Sequence, residues 1–274
     1  MKKEIKEKYP SWVREREGYS LCLTDDLDSL VSCALLKEIN NQTISRFFDF
    51  ETLYKIKGKE EKENLIGVDM DLVNGRCWGN HVVKINKDID LPKSANINNI
   101  NNISMQNYTS KFCCSTLLQI ISYYNYNISK LSTLAKQLLL CIDSTYLSYN
   151  FNKKICYKYL VEQLELEELY SILETYSTYD FTKLKNKLDI NQKIFVRYDN
   201  KIHTRLDLNV LSSILQLDLT FIQDMEVSTD SKIEYSNNVM KNIWTPSNYS
   251  AEDIKGVFSM AITNKNTIKY SKQI

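Results

Sequence analysis

The chain has 274 residues, of which 43% are hydrophobic, and its formal net charge is +1. This length provides enough apolar residues for one large domain or two ordinary ones. A charge so close to zero gives no electrostatic indication of a nucleic-acid or membrane partner. The sequence lacks the long apolar run of a transmembrane helix, and its first stretch, MKKEIKEKYPSWVRERE, is too charged for a signal peptide.

The seven cysteines are an odd number, and no two of them are spaced as CxxC. In a chain of this length, that usage favours reduced thiols and an intracellular compartment. We therefore expect a cytoplasmic protein whose cysteines are mostly small core residues.

Residues 19–38, YSLCLTDDLDSLVSCALLKE, predict a short buried strand followed by an amphipathic helix. Asp25, Asp26 and Asp28 lie between them, at the carboxyl end of the strand, where open α/β sheets bind their ligands. Asp25 or Asp26 can instead cap the helix N-terminus. One cap needs only one acid, and neighbouring carboxylates repel each other unless a cation or solvent compensates them. We favour a cation site over a solvated, capped turn.

The next elements continue an α/β pattern. Residues 44–50 (ISRFFDF) and 64–72 (NLIGVDMDL) predict strands, and the second of these ends in Asp69 and Asp71. Residues 79–85 (GNHVVKI) predict a further strand with His81 at its start. Helices are predicted over 111–124, with Ser110 as N-cap, and within 129–151, ending near Asp143. This order predicts a mostly parallel sheet with helices on both faces.

From about Lys153 the pattern changes. Residues 153–188 predict a helical linker, with one long amphipathic helix over 156–177. Residues 189–274 predict a smaller α+β domain with a strand at 193–198, a helix at 207–217 and a terminal hairpin at 256–272. The predicted domains are therefore 1–152, the linker, and a small domain covering 189–274.

Acidic and imidazole side chains recur at the ends of separate predicted elements. They are Asp26, Asp28, Asp69, Asp71, His81 and Asp143. A lone histidine is more often a hydrogen-bonding core or surface residue, but acids at neighbouring strand ends favour a ligand role for His81. Mixed Asp and His ligands suit Mn²⁺, whereas Mg²⁺ prefers oxygen ligands alone.

These segments resemble the DHH phosphoesterase superfamily, which includes RecJ-type exonucleases, oligoribonuclease/cyclic-dinucleotide phosphodiesterases and family II inorganic pyrophosphatases. The family's His-x-Asp-x-Asp-Gly motif is similar to TDDLDS, with Thr24 for the histidine and Ser29 for the glycine. LIGVDMD resembles the second motif, with Asp69 as its acid and Asp71 as a weaker candidate. The Asp-His-His motif is represented by Asn80-His81-Val82 and the fourth by Asp143-Ser144. The resemblance covers residues 19–151.

The resemblance implies two cation sites. The second would use four side chains, namely Asp28, Asp69, His81 and Asp143. The first would keep Asp26 and Asp69 but has Thr24 in place of its histidine. The expected activity is that of a Mn²⁺- or Mg²⁺-dependent phosphoesterase that hydrolyses a phosphodiester or another phosphate compound by metal-activated water, with Asp26 and His81 as catalytic residues.

Two alternatives remain open. The departures at Thr24, Asn80 and Val82 favour a catalytically degenerate protein that binds a nucleotide or another protein. DLDSL also has a superficial likeness to haloacid-dehalogenase phosphatases, but a helix is predicted immediately after it and His81 would then have no role. Of these three hypotheses, the DHH-like phosphoesterase ranks first.

Phosphate contacts in the small domain are weakly indicated. KIFVRYDNKIHTRLDLNVLSSIL resembles the strand and helix of the family's substrate domain, with Arg197, His203 and Arg205 as candidate phosphate contacts. No glycine lies between Gly79 and Gly256, so the family's glycine-rich loop is missing. The three side chains can equally be a solvated strand edge and turn. The expected partner is a nucleotide, a short oligonucleotide or another phosphate compound, and a homodimer is possible.

Overall fold

The computed structural model describes residues 1–15, 17–62, 64–85, 91–239, 257–264 and 267–273. The strands are β1 (Tyr19–Leu23), β2 (Thr43–Phe48), β3 (Thr52–Ile56), β4 (Asn64–Val68), β5 (Arg76–Trp78), β6 (Ser94–Ala95), β7 (Ile194–Val196), β8 (Ile202–Thr204), β9 (Val227–Val239), β10 (Val257–Asn264) and β11 (Thr267–Gln273). The helices are α1 (Lys3–Lys6), α2 (Leu27–Asn40), α3 (Ile97–Ile100), α4 (Thr116–Tyr123), α5 (Thr133–Cys141), α6 (Thr145–Phe151), α7 (Lys153–Tyr157), α8 (Glu167–Thr175), α9 (Thr178–Lys187) and α10 (Leu208–Leu215).

The centre of the sheet is parallel. Strands β2, β1, β4, β5 and β6 lie side by side in that order, each parallel to its neighbour. Every residue of β1 is buried, as expected for a parallel strand covered on both faces. The chain places β2 on one side of β1 and β4 on the other, so a topological switch point lies at the carboxyl end of β1. The predicted α/β class is confirmed.

Antiparallel strands extend this sheet. β3 pairs with β2, β9 with β3, β11 with β9, and β10 with β11. In the described ranges, nine strands therefore form one sheet, while β7 and β8 form a separate two-stranded sheet. The region predicted as a small α+β domain thus supplies this hairpin, α10 and three strands of the large sheet. β10 and β11 form the predicted terminal hairpin, although Gly256, Lys265 and Asn266 lie outside the described residues.

Two local predictions were wrong. The strand expected at 79–85 is instead β5, three residues earlier than its expected start, and Val82 and Lys84 only bridge to Ile262 and Ser104 as isolated pairs. Ser115 rather than Ser110 caps α4, since residues 105–110 form a 3₁₀ turn of their own. The helix predicted within 129–151 and ending near Asp143 is α5, which ends at Cys141 and is followed by α6.

Residues 153–188, predicted as a helical linker, contain α7, a π-helical turn over Lys158–Gln163, α8 and α9. The single helix predicted over 156–177 is interrupted before α8, where Glu165 has φ +55°. A left-handed residue cannot continue a right-handed helix, so the apolar period alone overestimated the length of this element. The predicted domain limits themselves stay predictions.

The main core lies between the parallel strands and the helices beside them, with α2 packed on α4. A smaller apolar cluster joins the segment after β5 to the terminal hairpin through Val82, Val83, Met260 and Ile262. Among the described residues, every helix is too short or too polar to cross a lipid bilayer.

Candidate metal centre

Three acids from separate parts of the chain meet at the carboxyl edge of the parallel strands. Asp28 lies in the first turn of α2, Asp69 directly follows β4, and Asp143 lies between α5 and α6. One carboxylate oxygen of each lies within 4.8 Å of the others. Among the described residues, this is the group of acidic, histidine or cysteine side chains that is compact enough to hold a metal ion. We refer to these three residues as the acid cluster.

Left-handed backbone turns direct two of these acids into the cluster. Asp69 has φ +55° and Asp143 has φ +51°, and Ser144 continues in the same region with φ +54°. Aspartate tolerates this conformation better than most residues, but it still carries a conformational cost of about 1 kcal/mol or more. These turns set the direction of the two carboxylates.

The N-terminus of α4 holds Asp28 and Asp69 together. The amides of Thr116 and Leu117 donate to the two oxygens of Asp28, at 2.8 and 2.9 Å. The Thr116 hydroxyl donates to Asp69 Oδ1 at 2.7 Å. Because Asp28 caps a helix that follows it by almost ninety residues, its carboxylate is fixed by tertiary structure as well as by α2.

Negative charge accumulates in this group. Burial, and then the charges of Asp143 and Asp26, raise the pKa of Asp28 well above its usual range. The pKa of Asp69 is raised in the same way, first by burial and then by Asp28. Asp143 is more exposed than Asp28 and Asp69. Its pKa is also raised, first by burial and then by the charge of Asp26, but less than theirs. A divalent cation would relieve this repulsion, since hard cations favour several carboxylate oxygens.

Asn80 adds an unused oxygen beside the cluster. Its side-chain nitrogen donates to Asp143 Oδ2 and, at 3.2 Å, to the carbonyl of Cys114. The other polar atom of this amide, Oδ1, is buried and accepts no hydrogen bond from the described residues. A buried carbonyl oxygen without a donor is costly, and a cation would satisfy it.

His81 is held at the border of the cluster by Asp71. The imidazole Nδ1 donates to Asp71 Oδ2 at 2.9 Å, and Asn96 donates to the other oxygen of Asp71 at 2.8 Å. Nε2 is therefore the ring nitrogen left for a ligand. The ring is not within the 4.8 Å group, and 38% of its side-chain surface is exposed. Burial lowers the pKa of His81, but Asp71, Asp69 and Asp143 outweigh it and raise that pKa to about 9.

Asp25 and Asp26 face Lys193, the residue that directly precedes β7. Lys193 Nζ lies 2.9 Å from Asp25 Oδ1 and 3.5 Å from Asp26 Oδ2. Asp26 also accepts from the Ser29 amide at 3.3 Å, so it is the N-cap of α2. The capping interpretation of this acidic turn is therefore correct for Asp26, and the cation interpretation stays a prediction that concerns Asp28.

Thr24 and Val82, two of the positions where the sequence departs from the DHH pattern that it resembles, are both buried. Thr24 is fully buried, and its hydroxyl lies 3.4 Å from the carbonyls of Val68 and Asp69, to which it donates. Val82 is also fully buried and packs in the apolar cluster beside the terminal hairpin. Neither side chain is directed at the acid cluster as a ligand.

Two adjoining clefts meet at the acids. The larger, of about 410 Å³, is lined by Asp26, Asp69, Asp71 and His81 on one side and by β10 and β11 on the other. The smaller, of about 290 Å³, is lined by Asp26, Asp28, Asp143, Ser144 and Lys185. Asp26 and Lys193 line both clefts.

The predicted phosphate contacts lie elsewhere. Arg197 stacks over the Phe195 ring at 5.6 Å, His203 pairs with Asp199 at 2.9 Å, and Arg205 is exposed after β8. None of Arg197, His203 and Arg205 lines either cleft.

Sequence reasoning missed Lys193, Asn80 and Thr116 as parts of this site. Asn80 occupies a position of the Asp-His-His motif, which was a usable signal. Lys193 and Thr116 carry no local signal, because their proximity to the acids depends on long-range packing.

Comparison of the chain with protein-family models, with curated proteins and with solved structures gives no match.

Proposed function

We propose that the chain is a divalent-metal-dependent phosphoesterase that hydrolyses a phosphodiester or another phosphate compound, such as a nucleotide or short oligonucleotide. The convergence of Asp28, Asp69 and Asp143 within 4.8 Å is the observation that carries the proposal. Three carboxylates from distant segments, two of them on left-handed turns, are difficult to explain by packing alone. The adjoining clefts provide space for a substrate beside them.

The donor set fits a hard divalent ion. Asp28, Asp69 and Asp143 would hold it, and the amide of Asn80, which contacts Asp143, carries an unused oxygen. These oxygen donors suit Mn²⁺ or Mg²⁺, and Mn²⁺ would be favoured if Nε2 of His81, which lies outside the 4.8 Å group, moved in as a further ligand. When bound, such an ion lowers the pKa of water and polarises a phosphoryl oxygen.

The side chains around the ion have separable roles in this proposal. Asp71 pairs with Nδ1 of His81, which leaves Nε2 as the ring nitrogen that can contact a ligand. Thr116 and the amides of α4 keep Asp28 and Asp69 in position. Asp26, which lines both clefts, is the proposed acceptor for a proton from the attacking water.

A second candidate is a DHH-like protein without turnover that binds a nucleotide or another protein. The burial and hydrogen bonds of Thr24, and the burial of Val82, favour it, because neither position offers a catalytic side chain to the clefts. The complete acid cluster favours the enzyme.

Turnover and metal binding separate these candidates. We expect hydrolysis of bis(p-nitrophenyl) phosphate, or of a short oligonucleotide or cyclic dinucleotide, with Mn²⁺ and none after chelation. Asp69→Asn should lower that rate by about a hundredfold or more, as is typical when a group that stabilises the transition state is removed. The same substitution should abolish the rise in melting temperature on adding Mn²⁺.

Asp69→Asn is a suitable test because asparagine also accepts the left-handed backbone at this position. It can keep the hydrogen bond from Thr116, while removing one charge from the acid cluster. The matched control is Asp224→Asn, an exposed acid that lines neither cleft. Mn²⁺ binding without hydrolysis of any of these substrates would favour the second candidate, and equal rates in Asp69→Asn and wild type would contradict the enzyme.

A further inference from the structure

Lys193 is seated where the two clefts meet. Its ammonium lies 2.9 Å from Asp25 and 3.5 Å from Asp26, and the side chain remains 57% exposed. Lys185 and Lys269 also line the clefts, but each lines only one of them. Lys193 is therefore the lysine that both clefts share in the described part of the chain.

Backbone contacts fix the position of the Lys193 main chain. The amide of the next residue, Ile194, donates to the carbonyl of Asp25 at 2.8 Å. The Thr204 hydroxyl donates to the carbonyl of Lys193 at 3.0 Å, which ties the residue to β8. The hairpin of β7 and β8 is thus attached directly to the turn that carries Asp25 and Asp26, and this attachment orients the lysine toward the acids.

Three groups of charges around the clefts bear on where a metal ion can bind. Asp71 pairs with His81, and Asp25 and Asp26 pair with Lys193. Among the described residues, no lysine or arginine forms an ion pair with Asp28, Asp69 or Asp143. In this part of the chain, the acid cluster is therefore the compact group of acids without a protein cation, whereas Lys193 already occupies the place beside Asp25 and Asp26.

We propose that Lys193 supplies the second positive charge of this site, so that one divalent cation suffices, and that its ammonium contacts the phosphoryl group of the substrate. This inference rests on the proposed function. An ammonium has three donors, and two carboxylates do not exhaust them, so one N–H is available to an anion in the clefts. A metal ion at the acid cluster and the Lys193 ammonium would place two positive charges beside a phosphoryl group in the clefts, and two such charges stabilise it in the way that paired metal ions do.

Inorganic phosphate and Mn²⁺ are the probes for the test. Calorimetric titration of the wild-type chain should give one Mn²⁺ per chain. Phosphate should then bind the Mn²⁺-loaded protein about tenfold more weakly in Lys193→Gln than in wild type, as expected for loss of one charge-assisted hydrogen bond. Lys193→Arg should restore most of that affinity, because it keeps the charge and donors.

Two readouts exclude indirect effects. Lys193→Gln should bind Mn²⁺ at least as tightly as wild type, because a positive charge near the acid cluster has been removed. The matched control is Lys201→Gln, in the same hairpin. Lys201 pairs with Glu226 at 3.8 Å and lines neither cleft. This variant should leave phosphate affinity within about twofold of wild type.

Two bound Mn²⁺ ions per chain, or unchanged phosphate affinity in Lys193→Gln, would overturn the assignment of Lys193 while leaving the hydrolase proposal intact. One Mn²⁺, weaker phosphate binding in Lys193→Gln and no turnover of any substrate would support the role of Lys193 in phosphate binding and reject hydrolysis. Failure of wild type to bind Mn²⁺ or Mg²⁺ would reject both.

Discussion

Gly79 shows how one missing side chain makes room for another. A Cβ built at this position would lie 2.1 Å from Asp71 Oδ1 and 3.0 Å from the Met70 carbonyl oxygen. Asp71 is buried, so its carboxylate has little space into which to move. The absence of a side chain at Gly79 therefore leaves the room that Asp71 occupies while it contacts His81.

Gly79→Ala should displace Asp71 and weaken its hydrogen bond to the imidazole. We expect a loss of about 1–3 kcal/mol in the free energy of unfolding, since overpacking has costs of this size. The pKa of His81 should fall from its value of about 9, and NMR titration of the ring would measure this change.

Gly58→Ala is the matched control for this prediction. Gly58 has φ +69° and no atom within 4 Å of an added Cβ, so alanine costs only backbone strain there, about 1 kcal/mol. The pKa of His81 should not change in this variant. An unaltered His81 pKa in Gly79→Ala would contradict the steric argument.

At the scale of elements, the terminal hairpin fixes the position of the segment after β5. The amide of Met260 donates to the Asp71 carbonyl at 2.9 Å, and that of Ile262 donates to the Val82 carbonyl at 2.8 Å. β10 therefore holds the chain on both sides of Gly79 and His81. Its apolar side chains bury Val82, the residue that the sequence resemblance aligns with the second histidine of the DHH motif.

Val82→His should not raise the rate of hydrolysis. The new imidazole would replace an apolar side chain with no exposed surface, so we expect a loss of about 2–4 kcal/mol in the free energy of unfolding and no gain in turnover. Urea denaturation and the hydrolysis assay would check both. Val210→His, at a position that is 41% exposed on α10, should cost less than about 0.5 kcal/mol. A more active Val82→His variant would contradict this account.

The elements also show what the sequence could predict. The apolar run of β1, followed by acids and a helical period, was enough to predict a strand, a helix and a ligand edge between them. The positions of Asp69 and Asp143 at element ends could be predicted for the same reason. The pairing of His81 with Asp71 could not be predicted, because the sequence placed His81 at the start of a strand, whereas β5 ends before it at Trp78. Lys193 could not either, because a hairpin more than 160 residues away brings it to Asp25.

At the scale of the whole molecule, buried acids and a protonated histidine make stability depend on pH. The folded-state pKa values of Asp28, Asp69, Asp143 and His81 all lie above their usual values. The folded chain therefore binds more protons than the unfolded chain, and its stability falls as pH rises through the raised values. For His81 the stabilisation is complete below about pH 6.5 and is lost as pH approaches about 9.

We expect the free energy of unfolding of the metal-free protein to decrease between about pH 6 and 8, a range above ordinary carboxyl pKa values and below those of thiols. His81→Gln should flatten this decrease, because glutamine can donate to Asp71 but does not titrate. Mn²⁺ should also flatten it, since a bound cation keeps the acids ionised. Guanidinium denaturation at several pH values measures the slope. A wild-type slope equal to that of His81→Gln would contradict the role assigned to the His81–Asp71 pair.

The outer side of β10 has a further consequence for the solution behaviour of the protein. β11 occupies one side of this strand, and on the other side Leu72 and Val82 bridge to Ser259 and Ile262. These bridges cover backbone groups that would otherwise form an open strand edge, the usual template for aggregation. The contacts that close the larger cleft thus also protect the chain from edge-to-edge association. Conditions that detach the hairpin should therefore cause loss of the cleft and precipitation together.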